Sequence, residues 1–451
     1  MTYRRYPNPK YMIRLYNIVQ SLETRRVYLI ASVLLCVSIS ICIFINHLIL
    51  GVSLQNWPGS PGYGIIGQHI AELGFYTADG VELTARRPPL YPYFLSAFHW
   101  AFGQQGTLVA YLTQALIYVA TGLLLVRFCL IKFRNPAMAL LTCSLYCLHF
   151  YLGVESLWQR ETILFSLILT ALLFPIASAP SWHSALSWGF FAGLFYLTRP
   201  TGVILPIVLL IGLLSYLKDY SFTKVLRHFI ICLSVFTLVT LPWNLYVIQN
   251  FDGHQSLPTT SGPENLYKGH IDDFENIFPQ VDLDLYNPWM NIGTEDMSEV
   301  ERSRHIKAEG WSMLLDDIPQ AMKRSFIKVF ALYSPLRTPF GEGKLAEGEN
   351  GVYINEFKLY SIQVLMVPHL LLIIFVGPIL LLKSWRHLPK DHQRFFLQIG
   401  ALLLLLTALH AVTFGESRHR LPFDLCFMIA TAYSIFRSLE MKARQIQSTD
   451  S

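Results

Sequence analysis

The sequence predicts an all-α, polytopic membrane protein, and three observations carry that prediction. The first is composition: 451 residues, 53% hydrophobic, only 14% charged, with mean hydropathy +0.40. A water-soluble domain carries about 25% charged residues, so the charges here must crowd into a minority of the chain. The second is a series of apolar runs near 27–50, 107–130, 136–153, 161–178, 183–198, 201–217, 228–248, 359–382, 395–414 and 421–437. A helix needs roughly 20 such residues to cross a bilayer core. These runs give about ten spans, or eleven to twelve if the crowded stretch 161–217 is paired differently. The third is the alternation of basic loops. The first 26 residues hold Arg4, Arg5, Lys10, Arg14, Arg25 and Arg26 against Glu23 alone, which places that end in the cytoplasm by the positive-inside rule. Every second loop is then basic again, apart from the uncharged turn near 179–182, and both termini are cytoplasmic. In all, 19 basic residues and five acids fall inside.

Each segment follows from this frame. The run 27–50 is too long for a signal-peptide core and reads as a retained first span. The segments 88–103 and 326–340 are apolar but interrupted by proline or basic residues, and suit juxtamembrane or re-entrant pieces. Residues 63–73 have a short amphipathic pattern suited to the membrane surface. Two outer loops are long enough to fold, 51–106 and 249–358. Between 249 and 325 there are 14 acids and 6 basic residues. Within that stretch 298–318 reads as an amphipathic helix, opened by a capping box from Ser298 to Glu301. The expected organisation is an N-terminal transmembrane module 1–248, an extracytoplasmic and mainly helical loop domain 249–358, and a C-terminal transmembrane module with a cytoplasmic tail, 359–451.

The net charge of +5 is unevenly spread and does not indicate nucleic acid. The seven cysteines fall inside apolar runs without a CxxC pair and read as small buried hydrophobes. His254, His270 and His305 lack ligand spacing, and Asp272, Asp273 and Glu275 read as a solvated surface. No metal site is expected from them, and metal dependence is open.

The charges at the span ends carry the functional signal, because charge at a membrane edge is costly and usually functional. On the outer side VESLWQRET carries Glu155, Arg160 and Glu161, LTRPTG carries Arg199, and GESRHRLPFD carries Glu416, Arg418, His419, Arg420 and Asp424. The first outer loop adds Arg86 and Arg87. Five of these arginines, Arg86, Arg87, Arg199, Arg418 and Arg420, suit a phosphate at headgroup depth, which guanidinium binds bidentately, and carboxylates beside them suit a proton acceptor. Simple snorkelling to headgroups is the alternative. In the last turn Glu416 is expected to orient an arginine. Pro422 argues against early helix, so Arg418 and Arg420 are expected to share one face of an extended turn.

The ordered segments GQHIAELGFY, RRPPLYPYFLSAFHWAFG, GVESLWQRETILFSL, GFFAGLFYLTRPTGVILP, LPWNLYVIQNFDGHQSLPTTSGPENLYKGH, EVERSRHIKAEGWSMLLDDIPQAMKRSFIKVFALYSP and GESRHRLPFDLCFMIATAY, from about 60 to 436, resemble the class C glycosyltransferases (GT-C). The likeness is to the bacterial branch that includes the lipid A aminoarabinose transferases and the protein O-mannosyltransferases. It implies an enzyme that moves a sugar, with inversion, from a polyprenyl-phosphate donor to an envelope lipid, glycan or protein on the non-cytoplasmic face of a bacterial plasma membrane. No cofactor beyond the lipid-linked donor is implied. Arg86, Arg87, Arg199, Arg418 and Arg420 would lie near the donor phosphate, Glu161 or Glu155 at the reaction centre, and Tyr63 would be an orienting residue. The sequence departs from the family in two places. The acid usual before the tyrosine of the first-loop helix is missing from GSPGYG, where Ser60 and Pro61 precede Tyr63, and Glu72, Asp79 and Glu82 are out of register. Another carboxylate serves, or the acceptor is an already ionised phosphate, or activity is lost. His419 stands where the last motif usually has tyrosine. A flippase for a lipid-linked saccharide and a non-catalytic relative are the rival readings. Nearly charge-free span interiors disfavour the flippase.

Overall fold

The computed structural model describes residues 19–49, 62–251, 258–272, 274–278, 294, 296–336 and 356–449. Ser60, Pro61, His254 and Asp273 lie outside them. The helices are α1 (Thr24–Phe44), α2 (Tyr63–Leu73), α3 (Leu90–Phe102), α4 (Gly106–Phe133), α5 (Pro136–Cys147), α6 (Phe150–Glu155), α7 (Thr162–Ile176), α8 (Trp182–Thr198), α9 (Leu205–Leu214) and α10 (Phe222–Asn250). They continue with α11 (Gly262–Lys268), α12 (Phe274–Ile277), α13 (Glu299–Asp316), α14 (Ile318–Tyr333), α15 (Glu356–Leu371), α16 (Gly377–Ser384), α17 (Lys390–Val412), α18 (Ser417–Arg420) and α19 (Asp424–Thr449). Among the described residues there is no β-strand, only an isolated bridge between Thr77 and Leu83.

Five helical stretches are long and apolar enough to cross a membrane: Thr24–Leu48, Leu90–Phe133, Phe222–Asn250, Ile362–His387 and Lys390–Val412. The chain is an integral membrane protein on that ground. Several of the runs read as single spans are broken. The run 136–153 ends its first helix at Leu148 and restarts at His149, whose Nδ1 accepts the Leu152 N–H at 3.1 Å. The run 201–217 opens with a 3₁₀ turn, Pro200–Ile204, before α9, and proline stands in the first turn of each, where its missing N–H costs nothing. The run 359–382 passes through a π stretch at Leu372–Val376. Segment 88–103 forms α3, whose 13 residues are too few to span.

Close approach between α8 and α10 depends on Gly189 and Gly193. A methyl group on Gly189 would sit 2.5 Å from the Cys232 carbonyl oxygen, and one on Gly193 would sit 2.6 Å from Val239 Cγ1. Small residues four apart let helix backbones meet inside a membrane, where packing replaces the hydrophobic drive.

At one end of the bundle the loop helices form a cap. α2 begins at Tyr63 and ends at Leu73, over the range its amphipathic pattern predicts. α13 is opened by the expected capping box, with Ser298 Oγ accepting the Glu301 N–H at 3.3 Å and Glu301 Oε2 accepting the Ser298 N–H at 3.0 Å. Glu299, one residue on, ties the first loop down. Its carboxylate accepts from Thr84 Oγ1 at 2.6 Å, from the Ala85 N–H at 2.8 Å, and from Thr260 Oγ1. A small apolar core of Tyr267, Ile271, Phe274, Phe278, Ile306 and Ala331 takes in Phe414 from the turn after α17. The cap and the bundle are therefore packed together at that turn.

Candidate active site

The turn between α6 and α7 is held rigidly from below. Gln114 of α4 donates to the carbonyls of Ser156 and Trp158, both at 2.8 Å, and accepts from the Tyr91 hydroxyl at 2.6 Å. Trp158 Nε1 donates to Asn46 at 3.0 Å, and the Arg160 guanidinium lies 4.8 Å from the Trp158 ring. This fixed turn presents two carboxylates with different surroundings. Glu155 is fully buried; Arg160 Nη1 donates to its oxygens at 2.9 and 3.1 Å, and Thr162 Oγ1 at 3.3 Å. Glu161 keeps 12% of its side chain exposed and accepts from Arg199 Nε at 2.7 Å.

Around Glu161 the structure gathers four elements. Tyr63, at the start of α2, lies near enough to Glu161 for the carboxylate to act on its hydroxyl. Arg87 lies over the Tyr63 ring at 5.2 Å. Arg199, at the end of α8, rests 5.0 Å from the Phe165 ring and donates to the His419 carbonyl at 3.4 Å. Arg418 acts electrostatically on both Glu161 and His419. Burial by itself would raise the Glu161 pKa, but Arg199 and then Arg418 outweigh it, and the carboxyl is held below its ordinary range. Burial and the neighbouring Glu161 carboxylate push the Tyr63 phenol well up, so it remains a hydrogen-bond donor. His419 is driven well below its ordinary value by burial and then by His410, Arg418, Arg199 and Lys268. Its Nδ1 accepts the Glu416 N–H at 3.1 Å, which leaves the proton of the neutral ring on Nε2. One carboxylate among three guanidiniums leaves a local excess of positive charge, which suits a phosphate.

Other expected site residues stand apart from this group. Arg86 turns away from Arg87 and pairs with Glu264 of α11 at 3.3 Å. Glu416 caps α18, its side chain accepting the His419 backbone N–H. The extended turn expected before Pro422 is not what forms. Ser417–Arg420 is helical, and Leu421, at φ −46° and ψ −47°, continues it as the first residue of a 3₁₀ turn, Leu421–Phe423, with Pro422 second. Proline is tolerated there because the N–H it lacks would be unpaired anyway. Early helix separates the two arginines. Arg420 is buried, and its Nε donates to Asp424 Oδ1 at 2.8 Å and its Nη1 to the Leu332 carbonyl at 2.6 Å. Asp424 is shared with His149 Nε2 at 3.0 Å. Glu72 accepts from Gln68 at 2.8 Å, and Asp79 caps its own turn through the Val81 and Glu82 N–H groups, each at 2.9 Å.

Two groups were not singled out by sequence, His149 and Lys328, and a third, His270, reads there only as lacking ligand spacing. His149 pairs with an acid 275 positions away. Lys328 is buried with its Nζ donating to the Thr413 carbonyl at 2.9 Å, and burial and then Arg324 lower it to about 7. His270, beside it, is lowered to about 4 by burial and then by Lys328. A lysine near the middle of a largely apolar helix was the available signal for Lys328. Among the described residues no three His, Cys, Asp or Glu side chains come together to hold a metal ion.

No protein-family model matches the chain, and no curated protein matches it. Solved structures do. The apo oligosaccharyltransferase of Archaeoglobus fulgidus is 12% identical and superposes with a TM-score of 0.53, covering 93% of this chain and 52% of its own. An A. fulgidus oligosaccharyltransferase, AglB, in complex with an inhibitory peptide and a dolichol-phosphate, gives 13% identity, the same coverage and a TM-score of 0.48. ArnT of Cupriavidus metallidurans bound to undecaprenyl phosphate is 15% identical with a TM-score of 0.37, covering 83% of this chain and 77% of that one. The chain spans about half the length of the archaeal enzyme. At these identities the likeness is one of fold, which the chain shares with the apo archaeal enzyme over 93% of its length.

Proposed function

We propose that the chain is an inverting glycosyltransferase that moves a sugar from a polyprenyl phosphate to an envelope lipid, glycan or protein on the non-cytoplasmic face, with both termini cytoplasmic. The observation that carries this reading is the grouping of Glu161, Tyr63, Arg87, Arg199 and Arg418 at one end of the bundle. In the proposed reaction Arg418, Arg199 and Arg87 hold the donor phosphate. The acceptor oxygen attacks the anomeric carbon as the bond from that carbon to the phosphate oxygen breaks. The electron pair leaves with the phosphate, where the guanidiniums stabilise it, and the acceptor proton passes to Glu161. A carboxylate tied to Arg199 is a weak base. An arriving phosphate competes for that arginine, and loosening the 2.7 Å contact raises the basicity of Glu161 when it is needed. Glu161 thus takes the part left open by the missing first-loop acid. Arg420, tied to Asp424 and His149, has a positioning part.

The test is mass spectrometry of envelope lipids and glycans from cells with and without the gene. A sugar lost from an acceptor, with its lipid-linked donor accumulating, is the expected result. An unchanged set of products overturns the reading.

A further inference from the structure

Helix α14 is inverted relative to a helix that borders water. Two of its three cations point inward: Arg324 Nε donates to Glu275 at 3.2 Å, and Lys328 Nζ donates to the carbonyls of Thr413 at 2.9 Å and Gly269 at 3.3 Å. Its large apolar side chains point outward. Trp311 and Leu315 at the end of α13 are exposed, and so are Ile318, Met322, Phe326 and Phe330 on α14, whose spacing of four residues puts those four on one stripe. Phe326 and Phe330 are 73% and 72% exposed. In water such a stripe is a liability. Against lipid it is the expected arrangement, with polar groups satisfied inside and apolar groups outside.

The register of α14 on α17 says what covers the stripe. α17 is one of the helices long and apolar enough to cross the membrane. Ser325 Oγ donates to the Ala411 carbonyl at 2.7 Å near the site end of α17, and the Tyr333 hydroxyl meets Thr407 Oγ1 at 2.6 Å. Going along α14 therefore means moving down α17, by about 6 Å over those four residues at 1.5 Å each. The α17 face below them is lipid-type as well, with Leu404 exposed. Polarity follows the same gradient: Asp316, Asp317 and Lys323 are exposed at the upper end, and no charged residue is exposed between Ile327 and Tyr333.

We propose that α14 is seated in the bilayer leaflet on the side of the site, with Trp311 and Leu315 at the interface and Phe326 and Phe330 among acyl chains. The helix thereby sets the depth of the site turn. Arg420 is bonded to the Leu332 carbonyl, and Lys328 holds Thr413 just before Glu416 and Arg418. The occupant is phospholipid, and the proposal is independent of the reaction assigned above.

The experiment uses the full chain in phosphatidylcholine nanodiscs, with the exposed Cys36 replaced by serine and the buried cysteines retained. A nitroxide is placed at Phe326→Cys, Phe330→Cys, Met322→Cys and, as the aqueous reference, Ala308→Cys on α13. Collision with molecular oxygen is compared with collision with a water-soluble nickel chelate. The expected result is oxygen exceeding nickel at 330 and 326, a smaller excess at 322, and the reverse at 308. Nickel access at 326 and 330 equal to that at 308 overturns the proposal. So does access by neither collider, which would mean that a protein surface or a second copy covers the stripe. These side chains are exposed, so thermal melting unchanged from the parent confirms that each labelled chain is folded, and Met322→Cys with Phe326→Cys carries the comparison if Phe330→Cys is not.

Discussion

Replacing Arg199 by alanine tests how Glu161 is tuned. The guanidinium makes three contacts: Nε to Glu161 at 2.7 Å, Nη1 to the His419 carbonyl at 3.4 Å, and its face to the Phe165 ring at 5.0 Å. The first is a charge-assisted bond to a mostly buried carboxylate, worth about 1.5–3 kcal/mol. Its loss therefore raises the Glu161 pKa. The sign follows from the opposing causes: burial raises this carboxyl, Arg199 is the largest effect lowering it, and removing Arg199 leaves burial less opposed. A base must be deprotonated to act, so the acid limb of the pH–rate profile moves to higher pH. The same energy lost from phosphate binding lowers kcat/KM by about 10- to 150-fold. Arg199→Lys keeps a charge but loses the fork and the stacked face, so it shifts the limb less and recovers only part of the rate. The assay is transfer of labelled sugar in proteoliposomes between pH 4 and 8, with thermal melting as a control on folding. An acid limb that stays in place in Arg199→Ala, whatever the rate, refutes the argument that this contact holds Glu161 ionised.

Three further outcomes follow. Glu161→Gln is expected to lower transfer by about 10²- to 10⁴-fold with little change in donor binding, whereas Glu155→Gln, fully buried against Arg160, acts chiefly on melting; steady-state rates and donor binding separate the two. Asp424→Asn removes one charge from a buried pair and leaves Arg420 uncompensated, at a cost of about 3–5 kcal/mol, read as a fall in the detergent melting midpoint larger than that of Glu161→Gln. Cysteine at Ala308, exposed on α13, should react with an impermeant thiol reagent in intact cells; reaction only after permeabilisation would turn the proposed orientation over.

The parts of this account that were legible in the sequence are local or compositional. Membrane residence follows from a shortage of charge, and α2 and the start of α13 follow from amphipathic period and a capping box. Glu161, Arg199 and Arg418 were legible as charges at span ends, since such charges have few places to go. What escaped depends on pairing across long separations. Nothing local marks His149 as the partner of Asp424, or Leu332 as the acceptor for Arg420. Arg86 and Arg87 are adjacent and chemically identical, yet one pairs with Glu264 and the other lies over Tyr63, because consecutive side chains in an irregular segment diverge. The rule that the residue before proline avoids helix was outweighed at Leu421, where the cap from Glu416 and the buried Arg420–Asp424 pair both favour helical geometry.

The central claim is that a lipid-linked sugar is cleaved at the group of cations around Glu161. Its most direct test is release of polyprenyl phosphate from polyprenyl-phosphate sugars extracted from the cell's own membranes, with the purified chain in proteoliposomes. The account predicts that the wild-type chain liberates polyprenyl phosphate in step with sugar transfer, that Arg418→Ala weakens donor binding and slows release, and that Glu161→Gln binds donor but releases little. Release by both variants at the wild-type rate, or none by the wild-type chain, would contradict it.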